Sequence, residues 1–275
     1  MTDYQRPRDL DEAVSLRAAH PTWMLLAGGT DLMVNANHKP EPAGILDLWR
    51  LPDIGFIRVD DNAIAIGAGT TWHEVERHPT IRTKLAPLAL AAREIGALQI
   101  QARATLGGNV GTSSPVGDSL PVLLALDAEL ELASPRGRRT VSYATWCTGY
   151  RKTLLAPDEL IVAARVPLPS PATRTTWRKV GTRRAQSISK VMGAAAITLD
   201  GGTVVSARVA LGAVADRPMR ITSVEDAVRG LPLGQAADAA RTALRAAITP
   251  IDDIRSTATY RREVAENIVA RFFMS

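Results

Sequence analysis

An α+β fold built in more than one part follows from three features of the 275-residue chain. Short apolar runs end in glycine turns, helical stripes of Leu and Ala are interspersed with them, and a proline-rich stretch, Pro167-Leu-Pro-Ser-Pro171, divides the chain as a stiff linker. The length exceeds the usual single-domain size, so about two domains are expected, with enough buried surface to need no disulfide or metal staple. A composition 46% hydrophobic and 22% charged is that of a globular protein, neither disordered nor membrane-embedded.

The elements can be taken in order. Leu10, Ala13, Val14 and Leu16 to Ala18 form a helical stripe closed by Pro21. Trp23-Met-Leu-Leu-Ala27 reads as a buried strand feeding the Gly28-Gly29 turn, and Gly44-Ile-Leu-Asp-Leu48 as a second strand. Gly55–Val59 and Ala63–Gly67 alternate around Asp60-Asp-Asn62, a hairpin signal. Thr71-Trp-His-Glu74 has the capping-box form, so a helix starts there, and Leu85–Glu94 is a further helix. Asp127–Ala133 and the run from Thr140 form a hairpin about Ser134-Pro-Arg-Gly137, and Glu159–Val166 is another strand. Beyond the linker, Met192–Leu199 and Thr203–Leu211 predict an antiparallel sheet. Ser223–Arg229, Ala236–Ala247 and Tyr260–Phe273 predict helices.

Several function classes lose support. One cysteine, Cys147, allows no intrachain disulfide and no iron–sulfur cluster held by this chain alone, and reads as a small buried hydrophobe. His20, His38, His73 and His78 show no metal-ligand spacing. The N-terminal residues have no apolar targeting core and no run reaches 18 apolar residues, so a soluble cytoplasmic chain is expected. A net charge of +5 and a pI near 9.7 point to a basic surface that meets an anionic ligand or an acidic partner. No zinc-finger spacing or RNP-like aromatic strand supports nucleic acid.

Two glycine motifs carry the candidate chemistry: Leu26-Ala-Gly-Gly-Thr-Asp-Leu32 and Thr105-Leu-Gly-Gly-Asn109. Neither is a GxGxxG fingerprint or a P-loop. Each is either a plain turn or half of an anion nest, in which glycine permits positive φ and lets successive N–H groups converge on phosphate oxygens. Thr30, Thr105, Asn109, Thr112, Ser113 and Ser114 add donors, and the pairing of two such motifs favours one phosphate-rich ligand between them. Asp118 reads as a cap for the helix starting near Pro121 or as an acceptor for a ribose or ribityl hydroxyl. Lys179 reads by default as a solvated charge.

Four ordered blocks, "LLAGGTDL", "TLGGNVGTSSPVGDSLP", "GYRKTLLAPDELIVAARVPLP" and "WRKVGTRRAQSISKV", resemble the FAD-binding subunit of molybdenum-containing hydroxylases, the xanthine dehydrogenase and carbon monoxide dehydrogenase family. The likeness runs from about residue 4 to the C-terminus. It implies a two-subdomain FAD-binding domain of the PCMH or vanillyl-alcohol-oxidase type, at 1–57 and 58–170, with a smaller C-terminal α+β domain at 171–275. It implies noncovalent FAD, with Leu25, Leu26, Ala27, Gly28, Gly29, Thr30, Asp31 and Leu32 wrapping the pyrophosphate. Thr105, Gly108 and Asn109 belong to the second loop, with Ser114 nearby. By the same resemblance Asp118 contacts FAD, Ile161 packs near the flavin ring, and Lys179 sits at the FAD site and opens a loop, Val180 to Lys190, that in some members lies over the flavin. Ile95 stands where animal xanthine dehydrogenases have a phenylalanine against the ring, and Tyr150 matches a tyrosine on the acceptor side.

The resemblance also implies that no side chain here is a general acid or base, because the flavin carries the redox chemistry. Electrons are expected from a 2Fe-2S cluster on a small partner subunit and pass to NAD or another acceptor. The molybdenum cofactor belongs to a large partner subunit, so a hetero-oligomer is expected. Two rival readings are a stand-alone FAD-dependent oxidase or reductase of the same fold and a non-catalytic nucleotide or nucleic-acid binding protein.

Overall fold

Apolar periods of two and of about 3.6 residues alternate along the chain, and the computed structural model, which describes residues 2–38, 40–183 and 186–274, turns each into an element. The chain opens with β1 (Asp3–Gln5), α1 (Leu10–Ala19), β2 (Met24–Leu26) and β3 (Gly44–Asp47), with a 3₁₀ helix over Leu32–His38. There follow β4 (Ile57–Val59), β5 (Ala63–Gly67), α2 (Trp72–Arg77), α3 (Pro79–Lys84), α4 (Ala86–Glu94), α5 (Leu98–Gln101), α6 (Leu106–Thr112) and α7 (Leu120–Ala125). Next come β6 (Glu129–Ser134), β7 (Gly137–Ser142), α8 (Tyr143–Trp146), β8 (Cys147–Gly149), β9 (Lys152–Thr153) and β10 (Leu160–Pro167). The last part holds β11 (Thr173–Val180), β12 (Val191–Asp200), β13 (Thr203–Gly212), β14 (Met219–Arg220), α9 (Thr222–Val228), α10 (Leu233–Leu244) and α11 (Ala258–Phe272).

Local chemistry sets most of these boundaries. Asp9 caps α1 by accepting the Glu12 N–H at 2.8 Å, and the helix buries Leu10, Ala13 and Val14. The β4–β5 turn closes on Asp60, whose Oδ1 accepts the N–H groups of Asn62 and Ala63 at 2.8 and 2.7 Å. Thr71 and Glu74 form the full capping box of α2. The single helix expected from Leu85 gains a neighbour, because Pro79 opens a separate turn, α3, and Leu85 breaks the register before α4.

Three sheets organise the chain. β1, β3 and β2 pair in parallel, in the order β1-β3-β2. The second sheet is antiparallel in the order β4-β5-β10-β6-β7, so β10 fills the middle between two hairpins. A register shift between Ile161 and Ala163 bulges β10, which re-aims the side chains beside it. The third sheet, β11-β12-β13-β14, is antiparallel, as expected from the runs Met192–Leu199 and Thr203–Leu211. β8 and β9 form a small separate hairpin.

β12 shows how the third sheet joins the rest. Ala194 and Ala196 pack into the core shared with Leu120, Leu123 and Leu124 of α7, while Ala195 and Ile197, on the other face, join the core of α9, α10 and α11. Alanines on the first face let α7 lie close to the strand backbone. Arg261, 2% exposed, anchors α11 by donating to the carbonyls of Lys190 and Ala213 and to Asp253 at 2.7 Å. Burial pushes the Asp253 carboxyl up, but the Arg255 and Ser256 N–H groups and the Arg261 guanidinium overcome it and hold the carboxyl at about 2.

The basic stretch 136–139 is not a free cationic patch. Arg136 pairs with Asp158, Arg138 with Glu131, and Arg139 with Glu159 at 2.6 Å. Cys147 is half-buried, with its Sγ 3.0 Å from the Ser113 hydroxyl. No helix among the described residues is long and apolar enough to cross a membrane.

Candidate functional site

A cleft of about 680 Å³ opens where the first sheet, the second sheet and the β11–β12 connection meet. Its volume lies within the range of small-molecule and cofactor sites. The two glycine motifs form adjoining walls, and their backbones touch. A Cβ on Gly28 would lie 1.9 Å from the Arg103 carbonyl oxygen, so only glycine fits. The Arg103 guanidinium stacks on Trp49, 3.9 Å from the ring centroid, and its Nε donates to the Gly28 carbonyl at 3.4 Å, which clasps the first motif to the second.

The first motif is a nest. β2 delivers the chain to Gly29, whose φ of +76° is left-handed, and the Gly29 carbonyl accepts the Met33 N–H at 3.0 Å to start the 3₁₀ helix. The N–H groups of Gly28, Gly29 and Thr30 have no acceptor among the described residues and belong to the cleft wall. Arg151, on the β8–β9 turn, braces the motif by pairing with Asp31 at 3.4 Å.

The second motif is not a turn, which corrects the expectation. Thr105 is the N-cap of α6, and Gly107 and Gly108 lie in its first turn, outside the left-handed region. The Leu106 N–H donates to Thr70 O at 3.0 Å, Gly107 N–H to Ala68 O at 2.8 Å, and Gly108 N–H to Thr105 Oγ1 at 3.1 Å. Its leading amides are therefore already spent on protein. Gly107 serves packing, since a Cβ there would lie 2.6 Å from the Ala68 Cβ. What this motif presents to the cleft is a side-chain surface, including Asn109, Thr112 and Ser114, with Asn109 fixed by the Ser119 hydroxyl at 2.7 Å.

Asp118 does not cap α7. Ser119 occupies the N-cap position and makes no side-chain cap bond. The Asp118 carboxylate, in the cleft wall and 8% exposed as a residue, instead accepts Lys179 Nζ on Oδ2 at 2.6 Å and Ser189 Oγ on Oδ1 at 2.5 Å. Burial pushes its carboxyl above the usual carboxylate range, opposed by the Lys179 ammonium and the Ser189 hydroxyl. Lys179 is no solvated charge: its side chain is 3% exposed and also donates to the Glu94 carbonyl at 3.2 Å.

Of the residues expected at the site, Leu25, Ala27 to Leu32, Thr105, Gly108, Asn109, Ser114, Asp118 and Ile161 line the cleft. Leu26, in β2, and Lys179, behind Asp118, do not. Ile95 and the Ile161 side chain beside the β10 bulge give apolar wall, joined by Ile100 and Leu155, which sequence reading missed because nothing local marks them. Arg183, Gln186, Ser187 and Ile188 of the β11–β12 connection also line the cleft; Arg184 and Ala185 of the expected 180–190 loop lie outside the described residues. Tyr150 is 63% exposed and outside the cleft wall.

The arrangement suits a ligand with an anionic part and a flat apolar part. Free amides and a glycine cradle that no Cβ can enter suit a pyrophosphate, and the Ile95, Ile100, Leu155 and Ile161 surface suits an aromatic ring. At the margin of the cleft, buried Trp72 keeps an indole N–H with no acceptor among the described residues. These features fit FAD.

Comparisons with known proteins agree on the same class. The family model described as FAD binding domain in molybdopterin dehydrogenase matches residues 1–169, and that of the CO dehydrogenase flavoprotein C-terminal domain matches residues 177–275. The nicotinate dehydrogenase FAD-subunit of Eubacterium barkeri is 29% identical over 284 residues, covering 100% of this chain and 96% of that protein. The xanthine dehydrogenase FAD-binding subunit of Escherichia coli O157:H7 is 30% identical over 272 residues, covering 98% and 93%. In structure, a chain of carbon monoxide dehydrogenase from Hydrogenophaga pseudoflava, solved without the Mo-pyranopterin moiety of its cofactor, superposes with a TM-score of 0.94 at 31% identity, covering 98% of this chain and 95% of that one.

Proposed function

Because this chain belongs to the family of FAD-binding subunits of molybdenum-containing dehydrogenases, a family of oxidoreductases, we propose that it carries electrons from a partner's iron–sulfur cluster to NAD or another acceptor. The observation that carries this reading is the single cleft that joins a free-amide nest at Gly28 to Thr30 with an apolar wall at Ile95 and Ile161. When bound, FAD supplies two-electron acceptance with release in single-electron or hydride steps.

The chain's own contribution is placement. The nest donates N–H groups to the pyrophosphate, the α6 side chains and Asp118 flank the cofactor, and the aliphatic wall excludes water from the ring. Relatives described as medium chains of carbon monoxide dehydrogenase support two partners, a molybdenum-cofactor large subunit and an iron–sulfur small subunit in a hetero-oligomer. The single cysteine supports the same division, since a cluster needs several thiolates. Ile95 cannot stack on a ring as an aromatic does, so Ile95→Phe is expected to shift the flavin potential.

Fluorescence titration of the purified chain with FAD tests the cofactor assignment, with stoichiometric quenching and a flavin spectrum expected. A chain that takes up no FAD sinks the reading. Affinity purification from the native host is expected to recover iron–sulfur and molybdenum chains and to reduce NAD when given substrate. Recovery of an active flavoprotein alone would favour a stand-alone oxidase.

A further inference from the structure

Three hydrogen bonds from one end of the third sheet converge on a single residue of the cleft wall. Trp177 Nε1 donates to the Asp118 carbonyl at 3.1 Å, Lys179 Nζ to Oδ2 at 2.6 Å, and Ser189 Oγ to Oδ1 at 2.5 Å. Lys179 lies at the end of β11 and Ser189 just before β12, so the two donors flank the connection that supplies Arg183, Gln186, Ser187 and Ile188 to the cleft wall. The base of that connection is already closed on itself, because Lys190 N–H donates to Val180 O at 2.8 Å. What Asp118 adds is therefore attachment to the FAD-binding half of the molecule. Both of its carboxylate oxygens are occupied in doing so.

We propose that Asp118 is a positioning residue whose two oxygens dock the β11–β12 connection onto the cleft, and that Lys179 and Ser189 act on the bound cofactor through it rather than by touching it. The geometry favours this over direct contact for Lys179, since its side chain is 3% exposed, absent from the cleft wall and shared with the Glu94 carbonyl. Ser189 is fully buried and likewise absent from the wall. A carboxylate with one oxygen on each side of the connection fixes its distance and its rotation together, where a single bond would leave a hinge. This role rests on the reading that FAD occupies the cleft.

The test uses the full chain with Ser189→Ala, Lys179→Met and Asp118→Asn, singly and in pairs, with Ser189→Thr and Lys179→Arg as conservative rescues. Ser189→Ala is the mild variant, removing one hydroxyl and leaving the ion pair. Amide exchange over 180–183 and 186–188 in FAD-free protein is expected to rise at least about tenfold in each disruptive single variant. Pairs should rise no further, and the two rescues should return to the parent rate. With FAD loaded, release by dilution should accelerate by a similar factor in Ser189→Ala, although that residue cannot reach the cofactor. Unchanged exchange in Ser189→Ala and Asp118→Asn, or strictly additive pairs, overturns the docking role. Raised exchange with unchanged FAD release overturns the action on the cofactor. A parent chain that never binds FAD defeats the functional reading instead, and docking is then decided by exchange alone.

Discussion

Gly28 and Gly107 share a dipeptide, Gly-Gly, and each stands where a Cβ would collide, with the Arg103 carbonyl oxygen at 1.9 Å or the Ala68 Cβ at 2.6 Å. Their amides part company. Around Gly28 the N–H groups of residues lining the cleft have no acceptor among the described residues, whereas the Gly107 and Gly108 N–H groups are bonded to Ala68 O and Thr105 Oγ1. A glycine pair is therefore a nest only when nothing in the protein has taken its donors. In the second motif glycine permits a helix to lie against the end of β5, and the ligand-facing chemistry passes to side chains.

The largest test of this contrast is Gly28→Ala. Its new methyl meets backbone, so the loop must move, and FAD affinity should fall by about a hundredfold or more, close to 3 kcal/mol. A fluorescence titration giving the parent Kd would break the comparison. Gly107→Ala should act on the fold instead. Overpacking against Ala68 costs about 1–3 kcal/mol, lowering Tm by several degrees at about 2–4 °C per kcal/mol, while the folded fraction binds FAD much as before. Calorimetry beside the same titration separates the two effects, and a large loss of affinity without a Tm change would reverse the assignment.

Thr105→Ala should cost about 1 kcal/mol as a lost cap, and Thr105→Ser should recover most of it in urea unfolding. The smallest effect belongs to Asp31→Asn, which removes an ion pair whose two side chains are 53% and 44% exposed. Such pairs contribute between zero and about 1 kcal/mol, so any change in FAD affinity should vanish at high salt. A salt-independent loss would mean that Asp31 itself touches the ligand.

Much of the fold could be read from local signals. The α1 stripe, the Asp60 turn, the Thr71 capping box and the glycine-flanked apolar runs of β12 and β13 each depend on residues a few positions apart, and all appear as elements. The second glycine motif misled because glycine is a poor helix former and reads as a turn. The reason for Gly107 is Ala68, far away in sequence. Lys179 misled likewise, since a lone lysine is solvated unless a carboxylate meets it, and Asp118 lies 61 positions away. Ile100 and Leu155 join the cleft with no local mark at all. Trp72 offered a helix start but no hint of a buried N–H with no acceptor among the described residues. What sequence patterns reveal is each element's exposed and buried faces, while the site depends on which of those faces meet.

The central place of β10 imposes an order on the birth of this protein. β5 and the β6–β7 hairpin leave the ribosome with one edge bare, because the strand that both require is made only at residues 160–167. Bare edges recruit other strands, so a nascent chain halted before that point is a substrate for chaperones or for aggregation. Leu160 and Ile161 on the same strand join the cleft wall, and Lys179, Ser189 and the wall residues between them arrive later still. Translation thus delivers both glycine motifs first and the donors that clasp Asp118 last, so the cleft is not whole until residue 189 has been made.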